Sequence, residues 1–425
     1  MNNSISAMEL YLKYKPSSVV TTTELTDTTC GIYPCYYRIT ESGLKVSTSA
    51  VSLIIESEKY SRNANYEVQP FIENFGGKNM ASRIEDLGTS LPQCLKSQIP
   101  ESIIKLLKQK SILPEQHWDE QRQTFADDVY RLQPFETVTQ EGDRFQNIEF
   151  KRTLSEKDEF IRLSSQYLTE YVHQIEKQYP NHEHIVLTGG KDSLLIHLVP
   201  KLTENWSAFS AYPNYKNTQN FFDVNGIHVN KLFTHNNTNQ ESPGETVKKA
   251  ICSDLRADPR HIRWRTELAK ISKELDHKCI FWAGTEGDTI NSYYSAFHSE
   301  NEQGYFDLQM SRAANWQGTT HQTTANFTGS PMLSLYHSPK LWRDVYRKYD
   351  PAMIKEGDDL RDEIGQQLAG GPITWPQTNP GPSPYQYNNE IDLEQAYESF
   401  IQQYRCREYQ PLLYEIESTD VEALT

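Results

Sequence analysis

What this chain lacks narrows its class first. No apolar run reaches the roughly 18 residues of a membrane-spanning helix, so no transmembrane segment is expected. The N-terminal Met1-Asn2-Asn3-Ser4-Ile5-Ser6 is polar, with no basic stretch leading into an apolar one, so no signal peptide is expected. Cysteine is sparse: six residues, Cys30, Cys35, Cys94, Cys252, Cys279 and Cys406. Only Cys30 and Cys35 are close, and without a second pair or a nearby histidine they make no usual zinc pattern. Scattered thiols read as reduced and point to the cytoplasm. Positive charge is in deficit: 42 Lys and Arg face 57 Asp and Glu, a formal net charge of −15. Such a surface does not displace counterions from nucleic acid, which argues against a nucleic-acid partner. There is no internal repeat and no block of like charge.

What remains is a globular chain of 425 residues, 37% hydrophobic and 23% charged, long enough for two or three domains with substantial cores. Its organising stretch is His184-Ile-Val-Leu-Thr-Gly-Gly-Lys-Asp-Ser-Leu-Leu-Ile-His-Leu198. Ile185, Val186 and Leu187 read as a short buried strand, Thr188 to Ser193 as a tight loop, and Leu194, Leu195 and Leu198 as the start of a helical apolar face. A strand, a Gly-rich loop and a helix start together favour an anion, because loop and first-turn N–H groups converge on one place. Gly189 and Gly190 let backbone approach the anion, and Ser193 adds a hydroxyl donor. Asp192 would repel a phosphate unless a cation such as Mg²⁺ bridges them, so the loop implies a metal-bound polyphosphate.

Either side of this stretch the chain divides at about residue 150. In residues 1–150, Cys30 to Ile39 and Leu44 to Thr48 read as two strands of a hairpin with Gly43 in the turn. Val51 to Ile55 is a further apolar run, Ser102 to Leu113 a helix, and Tyr130 to Val138 a strand broken by Pro134. In residues 151–425, Asp158 to Tyr179 carries Phe160, Ile161, Leu163, Tyr167, Leu168, Tyr171, Val172 and Ile175 at a period near 3.6, a helix. Trp206 to Tyr212 and Ile227 to Phe233 read as strands, Thr218 to Val224 as a short helix, and His235 to Glu245 as a polar loop. Thr266 to Leu275 suits a helix and Lys278 to Ala283 a buried strand. Alternating strands and helices imply an α/β fold with a parallel sheet, which binds nucleotides at the carboxyl ends of its strands. Gly304 to Ser330 is polar and reads either as a mobile lid or as a surface loop. Ala369 to Pro384 is a loop or linker, and Asp392 to Tyr404 a final helix.

The Thr188-Gly-Gly-Lys-Asp-Ser193 loop resembles the Ser-Gly-Gly-x-Asp-Ser loop of the N-type ATP pyrophosphatases, which include asparagine synthetase and β-lactam synthetase. Thr188 replaces the usual serine and keeps its hydroxyl. A second stretch, Gly284-Thr-Glu-Gly-Asp-Thr-Ile-Asn-Ser-Tyr-Tyr294, again follows a strand and is similar to the second signature of asparagine synthetases. Gly284, Asp288 and Tyr294 match that signature. Two such loops in the right order, roughly a hundred residues apart, are far more specific than one. The resemblance implies ATP and Mg²⁺, with Asp192 and Asp288 holding the metal and pyrophosphate. It implies an ATP site at Leu187, Thr188, Gly189, Gly190, Lys191, Asp192, Ser193, Ser210 and Gly284, the adenine lying near Leu187 and Ser210. The family places a catalytic side chain where Thr285 stands. Thr285 is a poor base, so either Glu286, one position on, takes that role or the chemistry uses a different base. Lys355, followed by Leu360 and Arg361, is the candidate for the family lysine that stabilises charge on the attacked acyl-adenylate, although that lysine would align at Gly357.

The N-terminal half resembles, in pattern, the glutaminase-type sandwich of the same proteins, with Arg131-Leu-Gln-Pro134 as its arginine-leucine-x-proline segment; an unrelated α+β domain is the other reading. A glutaminase of that kind needs a cysteine directly after Met1, and Asn2 stands there, so glutamine hydrolysis is not expected. The implied function is ATP-dependent amide formation between a small-molecule or peptide carboxylate and an amine, as in β-lactam synthetases and lasso-peptide cyclases. The alternatives are a non-catalytic ATP-binding protein and a tRNA-modifying ATP pyrophosphatase.

Overall fold

Short strands of two to five residues build two four-stranded sheets from the N-terminal region. The computed structural model describes residues 3–66, 122–146, 149–236, 241–256, 264–285, 287, 312–350, 353, 359–376, 391–405, 407 and 409–424. One sheet joins β1 (Ser4–Ser6), β3 (Glu24–Thr26), β7 (Glu136–Thr139) and β8 (Arg144–Gln146). The other joins β2 (Val20–Thr22), β5 (Gly43–Ser47), β4 (Tyr36–Thr40) and β6 (Tyr130–Arg131). The expected hairpin forms, with Tyr37 opposite Val46 and Ile39 opposite Leu44. Its first strand begins at Tyr36 rather than Cys30. Cys30 (φ +62°) and Gly31 (φ +73°) are left-handed and break an extended run. The buried Asp27 carboxylate fixes that break, accepting from Thr29 N, Gly31 N and Phe135 N at 3.2, 2.9 and 2.8 Å. Gly43 opens β5 instead of sitting in the turn. The break at Pro134 is where the sequence places it, between β6 and β7. The Val51–Ile55 run is a helix, Ala50–Glu56. The expected helix at 102–113 lies outside the described residues.

The C-terminal region is α/β. The helix Lys157–Gln178 buries Phe160, Ile161, Leu168, Tyr171, Val172 and Ile175. It precedes five parallel strands: β9 (Glu183–Leu187), β10 (Trp206–Ala211), β11 (Leu232–His235), β12 (Cys279–Ala283) and β13 (Met332–Ser334). Their order is β11-β10-β9-β12-β13. The chain steps outward from β9 to β11, then returns to the other side of β9 with β12. The strand order therefore reverses between β9 and β12, and the crevice above that point is where open α/β sheets bind ligands.

Three expectations are corrected. The strand expected over Ile227–Phe233 runs from Leu232 to His235. Gly226 ends the preceding helix at φ +65°, and Ile227 N donates back to Phe222 O at 2.9 Å, so the first residues of the expected strand finish the helix instead. The polar loop over 235–245 gives way at Pro243 to a helix, Pro243–Cys252, held by a capping box between Ser242 and Glu245. The polar segment 304–330, expected at the surface, contains the helix Gly318–Thr328, every residue of which is buried.

That helix is tolerated in the interior because its polar groups are paired. Thr323, Thr324 and Thr328 hydroxyls donate to carbonyls one turn back, at 2.6, 2.7 and 2.7 Å. Gln322 accepts from Tyr36 OH at 3.0 Å and donates to Asp254. Asn326 donates to Thr48 O and Cys252 O, each at 3.1 Å. The helix thus bonds to both chain regions, and one apolar cluster likewise runs from Leu25, Tyr37 and Val46 to Val186, Trp282 and Trp342. Among the described residues, Cys30, Cys35, Cys252 and Cys279 are buried. No described helix is long and apolar enough to cross a membrane.

Several histidines are buried neutral. Burial, with Lys201 nearby, lowers His197 to about 3, and its Nε2 has no hydrogen-bond partner. As pH falls below the ordinary histidine value of 6.5, the unfolded chain takes up a proton that folded His197 refuses, so stability falls. Replacing His197 with phenylalanine, which matches the apolar contact with Phe222, should reduce the stability lost between pH 7 and pH 5 by about 2 kcal/mol. Urea unfolding at the two pH values measures this; an unchanged pH slope would contradict it.

Candidate functional site

The first glycine loop leaves β9 at the reversal point, and it is shorter than the expected Thr188 to Ser193, because a helical turn begins at Lys191 and continues to Leu198. Thr188 N donates to Phe209 O at 2.8 Å and continues the ladder with β10. The Thr188 and Ser210 hydroxyls are both buried and both lie 3.1 Å from Thr218 Oγ1, so they bind the two strands to the next helix, Tyr215–Asn225. Leu187 lies opposite Phe209 in register. Leu187 and Ser210 therefore stand on neighbouring strands. Ser193 is turned inward. Its Oγ accepts from Gly189 N and Gly190 N at 3.0 and 3.4 Å and donates to Gly190 O at 3.0 Å. The outer side of the loop is open: a Cβ on Gly190 would meet no heavy atom within 4 Å.

The second glycine loop docks on the first. A Cβ on Gly284 would lie 2.3 Å from both Asp192 C and Ser193 N, so only glycine permits this approach. A Cβ on Gly287 would lie 2.7 Å from Asp192 Oδ1 and 2.5 Å from the Tyr336 ring. Tyr336 OH donates to Asp192 O at 3.1 Å and closes the joint. Asp288, Glu286 and Lys355 lie outside the described residues, as does Tyr294.

Thr285 has a partner that sequence order conceals. Its Oγ1 is 2.8 Å from His321 Nε2, and His321 Nδ1 is 2.9 Å from Met332 O. A carbonyl only accepts, so Nδ1 carries the proton, and Thr285 O–H donates to Nε2. Burial lowers His321 to about 4, so it is neutral at pH 7. Ser334 Oγ donates to Thr285 O at 3.1 Å and holds the same turn.

Charged side chains meet at the loop mouth. Lys191 Nζ lies 2.8 Å from Asp359 Oδ2, Arg361 Nε 3.0 Å from Asp359 Oδ1, and Arg361 Nη1 2.7 Å from Asp192 Oδ1. Asp359 and Arg361 begin the helix Leu360–Ala369. The sequence marks Leu360-Arg361 only as a motif, and nothing local reveals that Arg361 reaches a residue so far back in the chain.

No family model matches this chain, and no curated protein matches it.

The loops and the start of the helix Leu360–Ala369 therefore present a carboxylate, two cations and open backbone at the carboxyl ends of adjacent strands. Among the described residues, no group of three or more His, Cys, Asp or Glu side chains converges to hold a metal unaided. Mg²⁺ in nucleotide sites takes one or two carboxylates and completes its shell with phosphate oxygens and water. Asp192 fits that limited role. Gly284→Ala should destabilise the fold by about 1–3 kcal/mol through overpacking. Gly190→Ala, in extended backbone at φ −162°, should stay within about 0.5 kcal/mol of wild type. Thermal or urea unfolding of both variants measures the contrast; equal effects would refute the docking geometry.

Proposed function

We propose that this protein is an ATP-dependent amide-forming enzyme. A substrate carboxylate oxygen bonds to the α-phosphorus of ATP as the bond to pyrophosphate breaks. An amine nitrogen then bonds to the acyl carbon as AMP leaves. The observation that carries this reading is the convergence of both glycine loops above the strand-order reversal, with Gly284 seated on the Asp192–Ser193 peptide. In this reading Gly189 and Gly190 face the phosphates, and Asp192, with Asp288, holds the metal. Bound Mg²⁺ would offset charge on the departing pyrophosphate. Lys191 and Arg361 supply further positive charge at the same place. Glu286 and Lys355 remain the candidates for base and for stabilising the acyl-adenylate. The N-terminal sheets serve as scaffold or substrate platform.

A second reading is a nucleotide-binding protein without catalysis. It is favoured by Thr285, which stands where related enzymes carry a catalytic side chain and commits its hydroxyl proton to His321.

ATP–pyrophosphate exchange with Mg²⁺, across a panel of small acids and peptides, separates the two. Substrate-dependent exchange that vanishes in Asp192→Ala and Asp288→Ala is the expected result. MgATP binding without exchange favours the second reading, and no MgATP binding refutes both. Gly190→Ala should fold normally yet bind MgATP at least about tenfold more weakly, because its methyl fills the space the phosphates need.

A further inference from the structure

The charged groups at the loop mouth are arranged so that each occupies another's ligand position. Asp359 engages both cations, Lys191 at 2.8 Å and Arg361 at 3.0 Å. Arg361 in turn engages Asp192 at 2.7 Å. The series Lys191–Asp359–Arg361–Asp192 alternates in sign and sums to zero. It is not sealed in the core: the side chains of Lys191, Asp359 and Asp192 are 28, 32 and 26% exposed. Arg361, at 11%, is the most enclosed member. Burial works against its charge, but the Asp192 and Asp359 carboxylates raise its pKa above the ordinary arginine value. Burial likewise works against ionised Asp359, while Arg361 and Lys191 hold its pKa below the usual carboxylate range.

This arrangement treats incoming ions unequally. A divalent cation approaching Asp192 alone meets the Arg361 guanidinium already on Oδ1. A polyphosphate meets two cations that are held by carboxylates, Lys191 by Asp359 and Arg361 by Asp359 and Asp192, and it offers them more negative charge than Asp359 does. The backbone under Asp192 is pinned by Tyr336 OH and by the close approach of Gly284. Exchange of partners therefore requires side-chain movement and leaves the loop in place.

We infer that Arg361 gates Asp192: it occupies the carboxylate until a polyphosphate draws the guanidinium away, so that a divalent metal binds Asp192 with or after the polyphosphate and not before it. This inference rests on the nucleotide reading above and adds an order of binding, with Lys191 and Arg361 as the phosphate-binding cations.

The test uses the full chain, Mn²⁺ followed by electron paramagnetic resonance, and inorganic pyrophosphate followed by calorimetry. Wild type should take up Mn²⁺ at least about tenfold more tightly when pyrophosphate is present. Arg361→Ala should shift the two ligands in opposite directions. Mn²⁺ alone should bind about tenfold or more tighter, because Asp192 and Asp359 lose their competitor, and metal-free pyrophosphate about tenfold or more weaker. Asp359→Asn should tighten metal-free pyrophosphate binding by freeing both cations. Arg361→Lys, which keeps the charge and loses the planar fork, should fall between wild type and Arg361→Ala, and it carries the test if the alanine variant does not fold. A wild type that binds MgATP while an Arg361 variant weakens both ligands, or changes neither, overturns the gate and leaves the nucleotide reading standing. A wild type that binds neither MgATP nor pyrophosphate overturns both.

Discussion

The contact on which the site depends is backbone on backbone: Gly284 against the peptide joining Asp192 to Ser193. A Cβ at residue 284 would lie 2.3 Å from those atoms. Because the two loops cannot be spaced by side chains, they share one position above the point where strand order reverses. The pairing of β9 with β12, with Trp282 opposite Val186, sets that position from below. Tyr336 sets it from beside, through the Asp192 carbonyl. Whatever approaches Asp192 therefore meets both loops at once. On the reading proposed above, this is where a polyphosphate and its metal would meet both loops.

The second constraint is polar and lies beneath the first. The helix Gly318–Thr328 carries threonine, glutamine, asparagine and histidine into a fully buried position. Unpaired, each such group would cost on the order of 1–3 kcal/mol, which would exclude the helix from the interior. Paired to Tyr36, Thr48, Cys252 and Asp254, the same groups make it a joint between the N-terminal sheets and the C-terminal region. Asp254 adds a second bond to that joint, accepting from Ala50 N and Val51 N at 2.9 and 2.8 Å. His321, on this helix, reaches up to Thr285 and so links the joint to the second loop.

How much of this was readable from the chain depended on the range of the interaction responsible. The helix over 157–178 announces itself because its buried residues recur at the helical period, and the strands β9, β10 and β12 because each is a short run buried on both faces. The break at Pro134 is likewise local, since proline cannot donate to a ladder. The helix at Pro243 had a local signal too, Ser242 with Glu245 three residues on, which the polar composition around it hid. The helix over 318–328 had none. Apart from Gly318, Ala325 and Phe327 its residues are polar, and its burial is decided by partners such as Tyr36 and Thr48, 286 and 278 residues distant. The same holds for Arg361, whose bond to Asp192 spans 169 residues.

The sequence by itself determined the α/β class, the strand–loop–helix at Thr188 to Ser193 and the presence of a second glycine loop at Gly284, because each rests on neighbouring residues obeying backbone sterics and side-chain period. Only the tertiary structure decided that the two loops touch, that Ser193 turns inward to its own loop, and that Thr285 pairs with His321. It alone decided that Asp192 is matched by Arg361. Those outcomes depend on which strand lies beside β9 and which helix starts beside the loop, and backbone hydrogen bonds between distant segments settle that order while no local pattern encodes it.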